Sequence, residues 1–144
     1  MFKNITVAVD GSDHARHALS VACDLAQQYH GQLHLIHAPE VSSTGLAVGS
    51  GAIEIAPTQE AIQAAGADVM AAAATQVRAA GLEPASETVR YGRPSAEVCG
   101  LADETGSDLI VTGRRGMSSV QGLVLGSTSQ RIAHDAPCAV LTVK

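Results

Sequence analysis

The residues best placed to do chemistry are a run of glycines and hydroxyls late in the chain and one early carboxylate. Gly113-Arg114-Arg115-Gly116 is followed, nine residues later, by Gly126-Ser127-Thr128. Glycine lets a backbone come close to an anion and adopt positive φ. Asp108-Leu109-Ile110-Val111-Thr112, just before, reads as a short buried strand, and the stretch from Ser129 to His134, just after, reads as a helix. A strand that feeds a glycine loop and then a helix suits phosphate, because the helix start offers unpaired N–H groups and the positive end of its dipole. Ser127 and Thr128 fall at that start, where a hydroxyl either caps the helix or bonds a phosphate oxygen. Arg114, and less directly Arg115, bring positive charge to the loop. Asp10 ends the first apolar run, where a carboxylate can accept from a ribose hydroxyl or help to hold magnesium. Each residue also has a plainer use: turn geometry for the glycines, helix capping for Asp10, Ser127 and Thr128, a solvated loop position for Arg114.

Other constellations are weaker. His34 and His37 lie three apart on a predicted strand and point to opposite faces. His14 and His17 share a helical face but lack the acid that a metalloprotease motif carries between its histidines. His30 and His134 fall near helix ends, where a cation is favourable. Neither Ser12 nor the Ser118-Ser119 pair sits in a Gly-x-Ser-x-Gly elbow.

The positioning elements follow from periodicity and punctuation. Ile5 to Val9 is continuously apolar, as a strand covered on both faces should be. Ser12 is a good N-cap for a helix to about Tyr29, with Asp13 in its first turn and Gly31 at the C′ position. Leu33 to Ala38 is the second strand, so the first two strands pair in parallel. Residues 39–57 are rich in serine, glycine and small apolar residues and read as a flexible loop, either a mobile lid or disorder, with Ile53-Glu54-Ile55 as a brief extended piece. Thr58 caps a helix reaching Ala80, with Gly66 as an internal weak point. Ala85 to Tyr91 alternates as an edge strand, and Pro94 sits in the first turn of a helix that Gly106 ends. A short helical turn is expected within Met117 to Leu125, a fourth helix over Ser127 to Asp135 and a last strand over Cys138 to Val143. Strands and helices alternate throughout, which predicts an α/β fold: an open parallel sheet with right-handed crossovers and helices on both faces. Ligands of such sheets sit beyond the carboxyl ends of the strands, at the topological switch point.

The spacing Gly113-x2-Gly116-x9-Gly126-Ser127 resembles the nucleotide-binding signature of the universal stress protein family. The stretch from Ile5 to Ser12 resembles that family's opening strand, Leu33 to Ala38 its second and Ala136 to Val143 its closing strand, so the likeness spans residues 1–144 as one domain. The resemblance implies five parallel strands in the order 3-2-1-4-5, an adenine nucleotide alpha hydrolase-like fold that sets Asp10 beside Gly113. It implies ATP and magnesium as ligands, backbone contacts to adenine near Ala38, and Ala8 and Thr112 in the same pocket. It also implies a homodimer formed through the last strand, from Ala139 to Val143, which would otherwise be an exposed apolar edge.

Bulk properties narrow the function classes. The 144 residues suit one domain, and 46% hydrophobic residues with 2% aromatic ones imply an aliphatic core tightly packed by alanine. The net charge of −5 and the lack of a basic patch argue against a nucleic-acid partner. No apolar run approaches membrane-spanning length, and the start lacks the shape of a signal peptide. Three scattered cysteines, Cys23, Cys99 and Cys138, lie in apolar segments and fit small buried thiols in a reducing cytoplasm. The expected function is an ATP-binding regulator of the stress response. Hydrolysis is at most slow, because no Gly-Lys-Ser/Thr follows the glycines and no residue is evident to orient a water. The alternative is a nucleotide-independent dimeric interaction protein of the same fold. A small transferase would need a catalytic residue beside the phosphates, and the sequence offers no convincing one.

Overall fold

The first strand, β1 (Asn4–Ala8), is the centre of the molecule: Ile5, Thr6 and Val7 are wholly buried. The computed structural model describes residues 1–39, 44–48, 51–116 and 126–144. Along these run α1 (Asp13–Tyr29), β2 (Gln32–His37), β3 (Thr44–Val48), β4 (Gly51–Ile55), α2 (Gln59–Ala79), β5 (Ser86–Val89), α3 (Pro94–Glu104), β6 (Leu109–Gly113), α4 (Ser127–Asp135) and β7 (Ala139–Val143). The main sheet is parallel with order β5-β2-β1-β6-β7, that is, 3-2-1-4-5 in its five strands. Chain order reverses between β1 and β6, where Ile5 pairs with Leu109 and Val7 with Val111.

The pleat divides the core between two faces. Ile5, Val7, Leu33, Leu35 and Val111 pack on α1 and α2, where Ala18, Ala22, Ala26 and Ala73 let the helices lie close to the sheet. Ile36 and Ile110 pack on α3 and α4 through Val98, Leu101 and Ile132. Thr6 is the polar exception within β1. Its hydroxyl meets Ser107 Oγ at 2.8 Å, and Ser107 Oγ in turn meets Thr105 Oγ1 at 2.8 Å. A buried hydroxyl without such a partner would cost about 1–3 kcal/mol.

Caps match the sequence at most helix ends. Ser12 Oγ accepts from Ala15 N–H at 3.2 Å, Thr58 Oγ1 accepts from Ala61 N–H at 3.2 Å, and Pro94 opens α3. The end of α1 differs from expectation. The left-handed residue is His30, with φ of 52°, and not Gly31. Gly31 is required for a different reason: a Cβ there would lie 2.4 Å from the carbonyl oxygen of Phe2. Gly66 is likewise more than a weak point in α2. A Cβ there would stand 2.5 Å from Val89 Cγ1 and 3.3 Å from His37 Cδ2, so its absence lets α2 settle on β5 and β2.

The stretch 39–57, expected as a loop, contains regular structure. β3 and β4 pair antiparallel as a separate two-stranded sheet, Leu46 opposite Ile53 and Thr44 opposite Ile55, and the extended piece expected at Ile53-Glu54-Ile55 forms part of it. The reason is legible afterwards: Thr44, Leu46, Val48 and Ile53, Ile55 recur with period two, and two residues, Gly49-Ser50, separate the runs, a pairing suited to a tight hairpin. The turn expected within Met117 to Leu125 lies outside the described residues. Cys23 is buried as expected, whereas Cys99 and Cys138 are only partly covered, and all three are free thiols. Among the described residues, no helix is long and apolar enough to cross a membrane.

Candidate functional site

A cleft of about 680 Å³ opens over the carboxyl ends of β1, β2 and β6, at the point where strand order reverses. Nine of the ten residues singled out in the sequence line it: Ala8, Asp10, Ala38, Thr112, Gly113, Gly116, Gly126, Ser127 and Thr128. They come from four separate segments of the chain, so it is the topology that assembles them. The tenth, Arg114, does not line the cleft. Its backbone instead ties the loop down, with N–H donating to Val143 O at 2.6 Å and its carbonyl accepting from Gly126 N–H at 2.8 Å and Ser129 Oγ at 3.0 Å. Arg115, the weaker sequence candidate, is the arginine that reaches the cleft.

Asp10 has a defined task at the mouth. Its Oδ1 accepts from Ser12 N–H at 2.9 Å and from Ser12 Oγ at 2.6 Å. The helix cap is therefore Ser12, and Asp10 orients it from behind. Gly11, with φ of 80°, makes the turn between them. The other carboxylate oxygen, Oδ2, faces the glycine loop: a Cβ on Gly116 would stand 2.6 Å from it. The Asp10 carboxylate thus stands directly beside Gly116. Among the described residues no cluster of three or more His, Cys, Asp or Glu side chains could cage a metal. Asp10 supplies one carboxylate, and magnesium is usually held by one or two carboxylates with substrate phosphates and waters completing the shell.

The three glycines have distinct physical reasons. At Gly113 a Cβ would lie 2.8 Å from Ala15 N and from His14 C, so the start of α1 rests directly on the end of β6. At Gly116 the constraint is the Asp10 carboxylate. At Gly126 the nearest atom, Arg114 O, is 3.4 Å away, and φ is −70°, so neither crowding nor a left-handed backbone demands glycine. What Gly126 does provide is an N-cap without a side chain. The first N–H groups of α4 have no partner within their helix, and its first turn carries no acid. The start of α1 is closed by Ser12, whereas that of α4 opens on the cleft through Ser127, Thr128 and Ser129. An anion entering here meets backbone donors, two hydroxyls and Arg115.

The opposite end of the cleft is apolar. Ile36, Ala38, Pro39, Ala65, Val69 and Val98 wall it, with His37 as the polar side chain among them. Of these, only Ala38 was anticipated. Ala65 and Val69 on α2 and Pro94 and Val98 on α3 carry no chemical signature. The available clue was Gly66, whose position marks where α2 closes on β2.

Comparison with known proteins agrees with this arrangement. The model of the universal stress protein family matches residues 1–144. A universal stress protein of Thermus aquaticus is 37% identical over 144 residues, covering 100% of both chains. A universal stress protein solved in complex with cAMP superposes with a TM-score of 0.76 at 24% identity, covering 99% of this chain and 97% of that one. The universal stress protein of Archaeoglobus fulgidus in complex with dAMP gives a TM-score of 0.71 at 23% identity, covering 99% and 98%. A family match along its full length, on a sheet whose strand order reverses between β1 and β6, places this chain in the universal stress protein family.

Proposed function

We propose that the cleft binds an adenine nucleotide, ATP with magnesium, and that the protein reports nucleotide state as a regulator in the stress response. The observation that carries this reading is that the N-terminus of α4, which has no side-chain cap, lines the same cleft as Asp10. The triphosphate lies on Gly126, Ser127 and Thr128 with Arg115 beside it, the ribose lies against Asp10 and the base enters the apolar end near Ala38. Gly113 and Gly116 keep the loop low enough for this approach, and Ala8 and Thr112 form the floor. The volume of about 680 Å³ falls within the range of small-molecule sites. Two structural neighbours are described with adenine nucleotides, cAMP and dAMP, which supports the choice of base. Asp10 is the residue that would hold magnesium beside the bound nucleotide. The ion's chemistry is charge neutralisation, and turnover is at most slow, since the loop carries no phosphate-clamping lysine.

In this reading the protein acts in the cytoplasm as a homodimer. β7 is one edge of the sheet, and Val140, Leu141 and Val143 are incompletely covered there, which suits pairing with a second copy. Calorimetric titration of the whole chain with ATP, with magnesium and then with a chelator present, tests the proposal. Saturable binding that weakens without magnesium supports it. No binding at millimolar ATP overturns it and leaves a dimeric interaction protein as the better account.

A further inference from the structure

We infer that the backbone of Arg114 couples the phosphate end of the cleft to the outer edge of the sheet, so that bound nucleotide tightens the pairing of β7 with a second copy of this chain. This inference rests on the nucleotide and homodimer readings above and names how one regulates the other. Arg114 directly follows β6, and its two backbone polar groups bond in different directions. Its carbonyl oxygen accepts from Gly126 N–H at 2.8 Å and from Ser129 Oγ at 3.0 Å. Its N–H donates to Val143 O at 2.6 Å. Gly126 and Ser129 line the cleft at the start of α4. Val143 is the last residue of β7, the edge strand. A single residue therefore joins the proposed phosphate contacts to the proposed dimer strand. The end of β7 has a second tie, between Lys144 O and His17 Nδ1 at 2.6 Å, and neither of those residues lines the cleft.

Linkage gives the sign. Phosphate oxygens on the first N–H groups of α4 restrain Gly126, Ser127 and Thr128, and the bonds to Arg114 pass that restraint on to Val143. An edge strand already held in its ladder loses less conformational freedom when it pairs with another copy. Nucleotide therefore favours the dimer, and the dimer must favour nucleotide by the same factor.

Sedimentation equilibrium of the full chain, with and without ATP and magnesium, reads the dimer constant. We expect ATP to tighten it by about tenfold, within the usual span of coupling between linked sites. ATP affinity should weaken by the same factor when the protein is diluted below that constant. Arg114→Pro removes the N–H but leaves the carbonyl for Gly126 and Ser129, and should bind ATP yet lose the tightening. His17→Ala removes the other tie and should keep it. Wild type that binds no ATP overturns the nucleotide reading, and wild type that stays monomeric overturns the homodimer reading. A dimer constant unmoved by saturating ATP overturns the coupling alone. Tightening that survives in Arg114→Pro, or vanishes in His17→Ala, overturns the route through Arg114. Should Arg114→Pro fail to fold, hydrogen exchange of the wild-type Arg114 amide decides, at a protein concentration where the chain is dimeric throughout: exchange must slow on adding ATP, and an unchanged rate refutes the inference.

Discussion

Ser127→Asp separates binding from folding at the proposed phosphate site. Ser127 is the first residue of α4, is exposed, and has no acid near it in that turn. A carboxylate there loses no packing and gains from the helix dipole, about 0.3–1 kcal/mol. The melting temperature should therefore hold or rise by a few degrees. A phosphate on the same N-terminus would sit about 5 Å from the new charge, and at an effective dielectric of about 20 the repulsion is about 3 kcal/mol. That corresponds to a loss of about two orders of magnitude in affinity, more for a polyanion. Ser127→Asn is the neutral control, retaining size and hydrogen bonding and changing Kd by no more than a few-fold. Calorimetry at low ionic strength reads both, and the gap between them should narrow with added salt. If Ser127→Asp binds ATP as tightly as Ser127→Asn, the phosphates do not lie at the start of α4 and the assignment is wrong.

Gly113→Ala should act in the opposite way. Its Cβ would sit 2.8 Å from backbone atoms of α1, so the helix start must shift, at about 1–3 kcal/mol and several degrees of melting temperature even without nucleotide; a wild-type melting curve would refute the contact. A pH dependence follows from His34. It is buried, its Nδ1 meets Ser86 Oγ at 2.9 Å, and burial lowers its pKa from 6.5. The unfolded chain then binds a proton more readily than the folded one, so stability falls as pH drops below about 6.5, by at most about 1.4 kcal/mol per unit, until the folded-state pKa is passed. His134, whose pKa Asp135 raises, works in the other sense but is exposed and screened. Chemical denaturation at pH 7.5 and about pH 5.5 should show a smaller slope in His34→Gln, and an unchanged slope would exclude His34 as the source.

Much of the frame was legible because parallel α/β sheets write themselves in strong local signals. Ile5 to Val9 and Leu109 to Val111 are unbroken aliphatic runs, and Ser12, Thr58 and Pro94 mark helix starts by mechanisms that act within a few residues. Strand order was not local, and only the likeness to a known signature supplied it. The hairpin of β3 and β4 escaped because glycine and serine between short apolar runs read equally as loop. The choice between Arg114 and Arg115 escaped for a geometric reason: adjacent residues leaving a strand point different ways, and the carbonyl bonds of Arg114 to Gly126 and Ser129 fix which one enters the cleft. In the sequence His37 carries no signal beyond its spacing of three from His34. Its relation to Val9 crosses from β2 to the end of β1 and exists only in three dimensions.

The glycine signature and the ligand it heralds are physically separable. Gly113 is held by α1 and Gly116 by Asp10, and both contacts exist in the protein without any nucleotide. A chain of this fold that had lost its ligand would still be penalised for replacing either one while α1 begins where it does. Their presence therefore reports how β6 and its loop pack, and a glycine-to-valine test at Gly113 would confound lost binding with lost structure. Gly126 carries no such constraint, since its nearest neighbour stands 3.4 Å from a Cβ and its backbone suits any residue. The freedom to bind an anion resides there, in an uncapped helix start that the fold does not otherwise require. The decisive substitutions are therefore those at Ser127, where charge can be changed without touching a packed contact.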